Sequence, residues 1–153
     1  MQIHFTSREA ELLHAVAKAA AVLDIPAFAV GGFVRDKILD RPTKDIDIVC
    51  MGDGMELAQE FAKLFKPLPP VSLFKTFGTA QVKFQDIEIE FVGARKESYS
   101  RDSRKPQVAP GTIEDDQNRR DFTINALAVE LSDAHFGTII DPFGRSEEHT
   151  SEL

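Results

Sequence analysis

The chain has 153 residues, 42% apolar and 28% charged, which fits one compact domain with a buried core and excludes a disordered tail or a fibre. Eighteen Lys and Arg against 25 Asp and Glu leave a formal net charge of −7; this is not the basic footprint of an autonomous nucleic-acid binder, so any RNA contact must be local or supplied by another domain. The single cysteine, Cys50, excludes an intramolecular disulfide and a cysteine-only zinc site, and with no signal-like start and no apolar run of membrane length the expected location is the cytoplasm.

The first expected element is an amphipathic packing helix. Thr6 or Ser7 can cap it, Glu9 and Glu11 fall in its first turn, and Leu12, Val16, Ala19 and Leu23 recur at helical spacing. Ile25-Pro26 ends it. The apolar run 27–30 reads as a buried strand stopped by Gly31-Gly32, and residues 33–39 as a second helix that Asp40-Arg41-Pro42 terminates. Asp45-Ile46-Asp47-Ile48-Val49 alternates with period two, the mark of a strand with one polar and one apolar face. A turn at residues 52–54 leads to a third helix through Leu57, Phe61, Leu64 and Phe65, after which Pro67, Pro69 and Pro70 force an extended connection.

From Phe74 the pattern changes. Ala80, Val82 and Phe84 alternate with polar residues, Gln85-Asp86 can turn, and Ile87, Ile89 and Phe91 alternate again, so this region is expected to be an antiparallel hairpin. Residues 95–111 carry five basic and two acidic side chains, two prolines and few apolar anchors, and are expected to form a basic, mobile surface loop. Thr112 opens a further helix with Glu114, Asp115 and Asp116 in its first turn, and residues 126–131 form another turn of helix or a strand. There is no internal repeat. The expected class is α/β, a small mixed sheet flanked by helices.

Asp45 and Asp47 are the first candidates for chemistry, because on a strand they share one face about 6.5 Å apart. Such a pair of carboxylates can hold hard divalent cations that activate an attacking hydroxyl and stabilise a leaving oxygen at phosphorus. Taken alone, the pair is more often just the wet face of a strand. Glu88 and Glu90 alternate in the same way, and if their strand lies beside residues 45–49 one of them completes a three-carboxylate cluster that would repel itself without a metal. Gly31-Gly32, between a strand and a helix, lets backbone N–H groups approach an anion, and Arg35 one turn on adds a cationic arm; a bare Gly-Gly pair is also an ordinary tight turn. Asp36 is open between a site residue and a helix-start residue. Arg119, Arg120 and Asp121 give a second cationic point and Asn125 a hydrogen-bonding edge, although Asp115 to Arg119 and Asp116 to Arg120 are also plain helix-surface spacings. The four histidines lack ligand spacing, and they and Cys50 are read as non-catalytic.

Taken together, the stretch from Val30-Gly31-Gly32-Phe33-Val34-Arg35-Asp36, then Asp45-Ile46-Asp47, then the run Arg119-Arg120-Asp121-Phe122-Thr123-Ile124-Asn125-Ala126 resembles the head domain of class II tRNA nucleotidyltransferases and bacterial poly(A) polymerases. The likeness spans residues 27–144, with Ala94-Arg95 and Ile140-Asp141-Pro142-Phe143-Gly144 also in place. It implies a nucleotidyltransferase fold of the polymerase-beta-like kind. Asp45, Asp47 and Glu90 would be the catalytic, magnesium-binding carboxylates, leaving Glu88 peripheral. Gly31, Gly32, Arg35 and Asp36, with Arg119, Arg120, Asp121 and Asn125, would bind the nucleotide, and residues 96–109 would be the family's flexible catalytic loop. The implied reaction is template-independent addition of nucleotides from CTP and ATP to the tRNA 3′ end, building CCA with release of pyrophosphate.

The resemblance also implies a helical neck, body and tail beyond residue 144, where base selection and most tRNA contacts reside in the family. Residues 145–153 are polar and unlike that continuation, and are read as a non-native tail. Residues 1–144 would then be a head domain that is weak or inactive alone. Bacterial poly(A) synthesis and a non-catalytic nucleotide-binding module are the alternatives. No residue present assigns the order of addition or the oligomeric state.

Overall fold

The computed structural model describes residues 3–41, 43–98, 107–110, 127–132 and 136–140. Helix α1 (Ser7–Leu23) is capped by Thr6, the first of the two candidates. Thr6 Oγ1 accepts from the Glu9 N–H at 3.1 Å while the Glu9 carboxylate accepts from the Thr6 N–H at 2.8 Å, a reciprocal arrangement that satisfies two donors a helix start would otherwise orphan. Strand β1 (Ala27–Val30) is buried along its whole length. Gly31 then turns the chain with φ 71° and ψ −142° into helix α2 (Gly32–Ile38), one residue earlier at each end than the sequence suggests. Strand β2 (Asp45–Cys50) buries Ile46 and Ile48 and leaves Asp45 exposed. Helix α3 (Gly54–Ala62) is capped by Asp53, whose Oδ1 accepts from the Met55 N–H at 2.9 Å.

Beyond the prolines the structure holds a strand that the sequence does not announce. Strand β3 (Val71–Phe74) pairs antiparallel with β4 (Thr79–Lys83), Val71 opposite Val82 and Phe74 opposite Thr79. At four residues, Val71-Ser72-Leu73-Phe74 is too short a run for periodicity to announce, and its side chains are mostly exposed, so pairing of its backbone groups is what makes it a strand. Strand β4 and β5 (Glu88–Gly93) form the expected antiparallel hairpin. The basic stretch is a correction: within the expected loop, β6 (Arg95–Ser98) and β7 (Gln107–Pro110) pair antiparallel as a two-stranded sheet. Cross-strand hydrogen bonding satisfies backbone that few apolar anchors could order. Strand β8 (Ala128–Glu130) resolves the open choice after residue 126 in favour of a strand, and β9 (Ile139–Ile140) pairs with it. The helix expected from Thr112 and the tail 145–153 lie outside the described residues.

Among the described residues the main sheet has seven strands in the order β3-β4-β5-β2-β1-β8-β9. Its one parallel pair among the described strands is β2 with β5; every other neighbour is antiparallel. The mixed sheet agrees with the expected class. Ala29, Ile46, Ile48, Val82, Ile89 and Phe91 belong to a large core with Leu12, Val16, Leu57 and Phe61 from the helices, consistent with amphipathic helices covering one sheet face. Phe61 stacks obliquely on Phe65 and Phe91 at centroid distances of 5.0 and 5.3 Å. Gly93 permits the closest approach, since a Cβ there would stand 2.5 Å from the Gly52 carbonyl oxygen. Among the described residues the opposite sheet face carries a small cluster of Phe28, Val30, Val49, Ala94 and Ala128. Because side chains alternate across a strand, Asp45 and Asp47 share this face with Val49. Among the described residues no helix is long and apolar enough to cross a membrane.

Candidate active site

The sheet puts the sequence candidates side by side. In the parallel pair Asp45 is opposite Glu88 and Asp47 opposite Glu90, and parallel partners in register present their side chains on the same face. Four carboxylates from two adjacent strands therefore share the sheet face opposite the one that α1 and α3 cover. On the far side of β5, Gln81 of β4 is opposite Glu90 and Lys83 is opposite Glu88. Asp45, Asp47, Glu88 and Glu90 all line one cleft of about 320 Å³, together with Gly32, Arg35 and Asp36 from the start of α2.

Each wall has a local cause. Thr43 sets up the start of β2: its hydroxyl donates to the Asp45 carbonyl at 3.0 Å and accepts from the Asp45 N–H at 3.4 Å, a side-chain turn that fixes the backbone before the first aspartate. On the α2 side, Phe33 and Val34 are buried and leave Arg35 and Asp36 toward the cleft. Arg35 Nε donates to Asp36 Oδ1 at 3.3 Å, so Asp36 balances the arginine rather than standing alone. The guanidinium lies back over the glycine turn, with Nη2 3.4 Å from where a Cβ on Gly32 would sit.

The two glutamates differ. Glu88 accepts from Gln81 Nε2 at 2.9 Å and lies 3.5 Å from Lys83 Nζ, so its charge is already engaged. Glu90 is more exposed than Glu88 and points with Asp47 into the same cleft. Thr43 and Gln81 were not singled out from the sequence. Gln81 could have been found there, because it alternates with the apolar Ala80 and Val82 and so shares the polar face of its hairpin.

With five carboxylates and one guanidinium among its described lining residues, the cleft attracts a cation before it accepts an anionic ligand. Its donors are hard oxygens, the set that suits magnesium or calcium. Among the described residues no three His, Cys, Asp or Glu groups already stand close enough to enclose an ion. Arg119, Arg120, Asp121 and Asn125 lie outside the described residues. His14 stacks on Phe136 at 3.8 Å, a packing role that fits its exclusion from the site.

Comparison with known proteins decides the family. Residues 27–149 match the poly A polymerase head domain. The chain belongs to that family. The head domain is 42% identical over 118 residues to the A-adding tRNA nucleotidyltransferase of Aquifex aeolicus, covering 77% of this chain and 14% of that protein. It is 41% identical over 123 residues to the CCA-adding enzyme of Bacillus cytotoxicus, covering 79% of the chain and 28% of the relative. Among solved structures, a tRNA nucleotidyltransferase complexed with a primer tRNA and an incoming ATP analog superposes with a TM-score of 0.75 at 36% identity, over 88% of this chain and 36% of that one. The head domain thus spans only a minor part of the length of its relatives, and the match to the family begins at Ala27, after α1.

Proposed function

We propose that this head domain carries the catalytic site of a tRNA nucleotidyltransferase that adds nucleotides from CTP and ATP to the tRNA 3′ end, completing CCA. The observation that carries the reading is the register of β2 and β5, which puts Asp47 opposite Glu90 and Asp45 opposite Glu88 at the mouth of the Gly31-Gly32 turn. The named activities of the relatives support it.

In this reading the RNA 3′-hydroxyl attacks the α-phosphorus of the bound nucleotide and pyrophosphate departs. Asp45, Asp47 and Glu90 would hold magnesium, which supplies Lewis acidity for the attacking hydroxyl and for the departing oxygen when bound. The remaining work falls to the chain. Gly31 and Gly32 let backbone N–H groups approach the triphosphate, and Arg35 donates to its oxygens once Asp36 shares the guanidinium. Arg120, with Arg119, Asp121 and Asn125, completes the nucleotide site. Glu88, held by Gln81 and Lys83, stays at the edge. Rigid strands fix the spacing of the carboxylates, and that positioning is the main contribution a protein makes to phosphoryl transfer. The cytoplasm is the compartment this reading implies.

A narrower reading, addition of A alone, is favoured by the A-adding activity of the Aquifex aeolicus relative. Two experiments follow. Calorimetric titration of the chain with ATP and with CTP, with and without magnesium, is compared with the Asp45→Asn, Asp47→Asn double variant. Magnesium-dependent binding of both nucleotides, lost in the variant, is the expected result, and binding that persists unchanged in the variant overturns the site. Extension of tRNA by the full-length protein with ATP alone or with CTP and ATP separates A addition from CCA addition, and extension unchanged by the same double substitution overturns both readings.

A further inference from the structure

Glu9 is the one charged residue that is fully buried among the described residues, at 3% exposure. Its Oε1 accepts from the Thr6 N–H and from Lys37 Nζ, each at 2.8 Å, and the Lys37 side chain is only 11% exposed. The pair ties two unlike elements together. Glu9 belongs to α1, whereas Lys37 sits in the last turn of α2, the helix that carries Arg35 and Asp36 into the cleft.

An ion pair taken out of water is a poor source of stability, because the lost hydration offsets the attraction; its better attested use is to fix one arrangement among several. Helix α2 needs such a device. With seven residues it is far below the length at which a helix holds itself, so its rotation is set by its anchors. Phe33 and Val34 bury its first turn in the core, and Lys37 anchors its last. Lys37 follows Arg35 by two positions, about 200° around the helix, so drawing Lys37 toward α1 turns Arg35 toward the cleft.

We propose that Glu9 is a positioning residue for nucleotide binding: acting through Lys37, it sets the rotation of α2 and so the place where the Arg35 guanidinium meets a triphosphate. The proposal deepens the nucleotide-transfer reading and rests on it. It makes α1 part of the site's support although no residue of α1 lines the cleft.

The test replaces the pair without leaving a buried charge. In the Glu9→Gln, Lys37→Met double variant the glutamine keeps the reciprocal cap with Thr6 and the methionine keeps the apolar stem, so thermal melting near that of the wild-type chain is expected. Affinity for ATP with magnesium, by calorimetry, is expected to fall about tenfold, the scale of a small misplacement of a binding group. A double variant that melts like wild type and binds ATP within about twofold of it overturns the proposal, because the pair would then be structural only. Should the wild-type chain bind no ATP, amide exchange decides the positioning claim by itself. Faster exchange confined to residues 34–38 in the double variant supports it, and unchanged exchange overturns it.

Discussion

Asp47 and Glu90 stand opposite one another on the only parallel pair of strands described in the sheet, although a helix and two further strands separate them in the chain. The pairing distinguishes them from the neighbouring couple Asp45 and Glu88, because Glu88 is also held by Gln81 and Lys83 from the other side. A glutamate already engaged by an amide and an ammonium is a poorer partner for a cation than one beside an aspartate without those two contacts.

Glu90→Gln should therefore abolish magnesium-dependent ATP binding, and Glu88→Gln should weaken it by no more than a few fold. Manganese titration followed by electron paramagnetic resonance checks the assignment without turnover. Equal losses in the two variants would show that the glutamates share the role.

Gly31→Ala should harm both stability and binding. At φ 71° and ψ −142° the backbone is in a region that a Cβ disfavours, at a cost of about 1–3 kcal/mol. Relief of that strain would swing the turn away from Arg35. Urea melts measure the first effect and ATP titration the second. A variant of unchanged stability would mean that the turn adapts freely.

Gly93→Ala tests packing away from the cleft. The added methyl would meet the Gly52 carbonyl oxygen at 2.5 Å, a backbone atom that moves only if the loop before α3 moves. Overpacking of this kind costs about 1–3 kcal/mol, and the urea midpoint should fall accordingly. An equal midpoint would show that this loop yields.

Cys50 should resist thiol reagents until the chain unfolds. It is buried, and burial pushes its thiol up to about 12 from an ordinary 9.0, so the reactive thiolate is scarce at about pH 8. The sign for stability follows. Above an ordinary thiol pKa the unfolded chain releases this proton while the folded chain keeps it, so stability falls as pH rises through that window. Labelling by Ellman's reagent with and without urea checks the first statement. Rapid labelling of the native chain would contradict it.

What could be read from the sequence was local. The helix start at Thr6 or Ser7, the strand through Asp45 and Asp47 and the hairpin ending at Phe91 all declare themselves within a few residues. The partner of that first strand does not. Residues 45–50 could have lain beside several strands, and the sequence offered the meeting of Asp47 with Glu90 only as a condition. Strand β3 stayed hidden because four residues directly after Pro69 and Pro70 are too few for a period to show, and its exposed Leu73 and Phe74 give it no core to pack against. Glu9 was visible as a first-turn acid, yet its burial depends on Lys37, far along the chain, which no periodicity links to it. Arg119, Arg120, Asp121 and Asn125 remain assigned by resemblance.

The parallel register of β2 and β5 also orders events during folding. Hairpins such as β3 with β4 and β4 with β5 close over short loops, whereas β5 reaches β2 only after α3 and the intervening strands have been spanned. Distant contacts must overcome a larger loop entropy before they contribute, and so form slowly. The carboxylate face is therefore absent from a chain that has made only its local contacts. An ion drawn to that face would reward the finished fold alone, so its affinity would report whether β5 had reached β2.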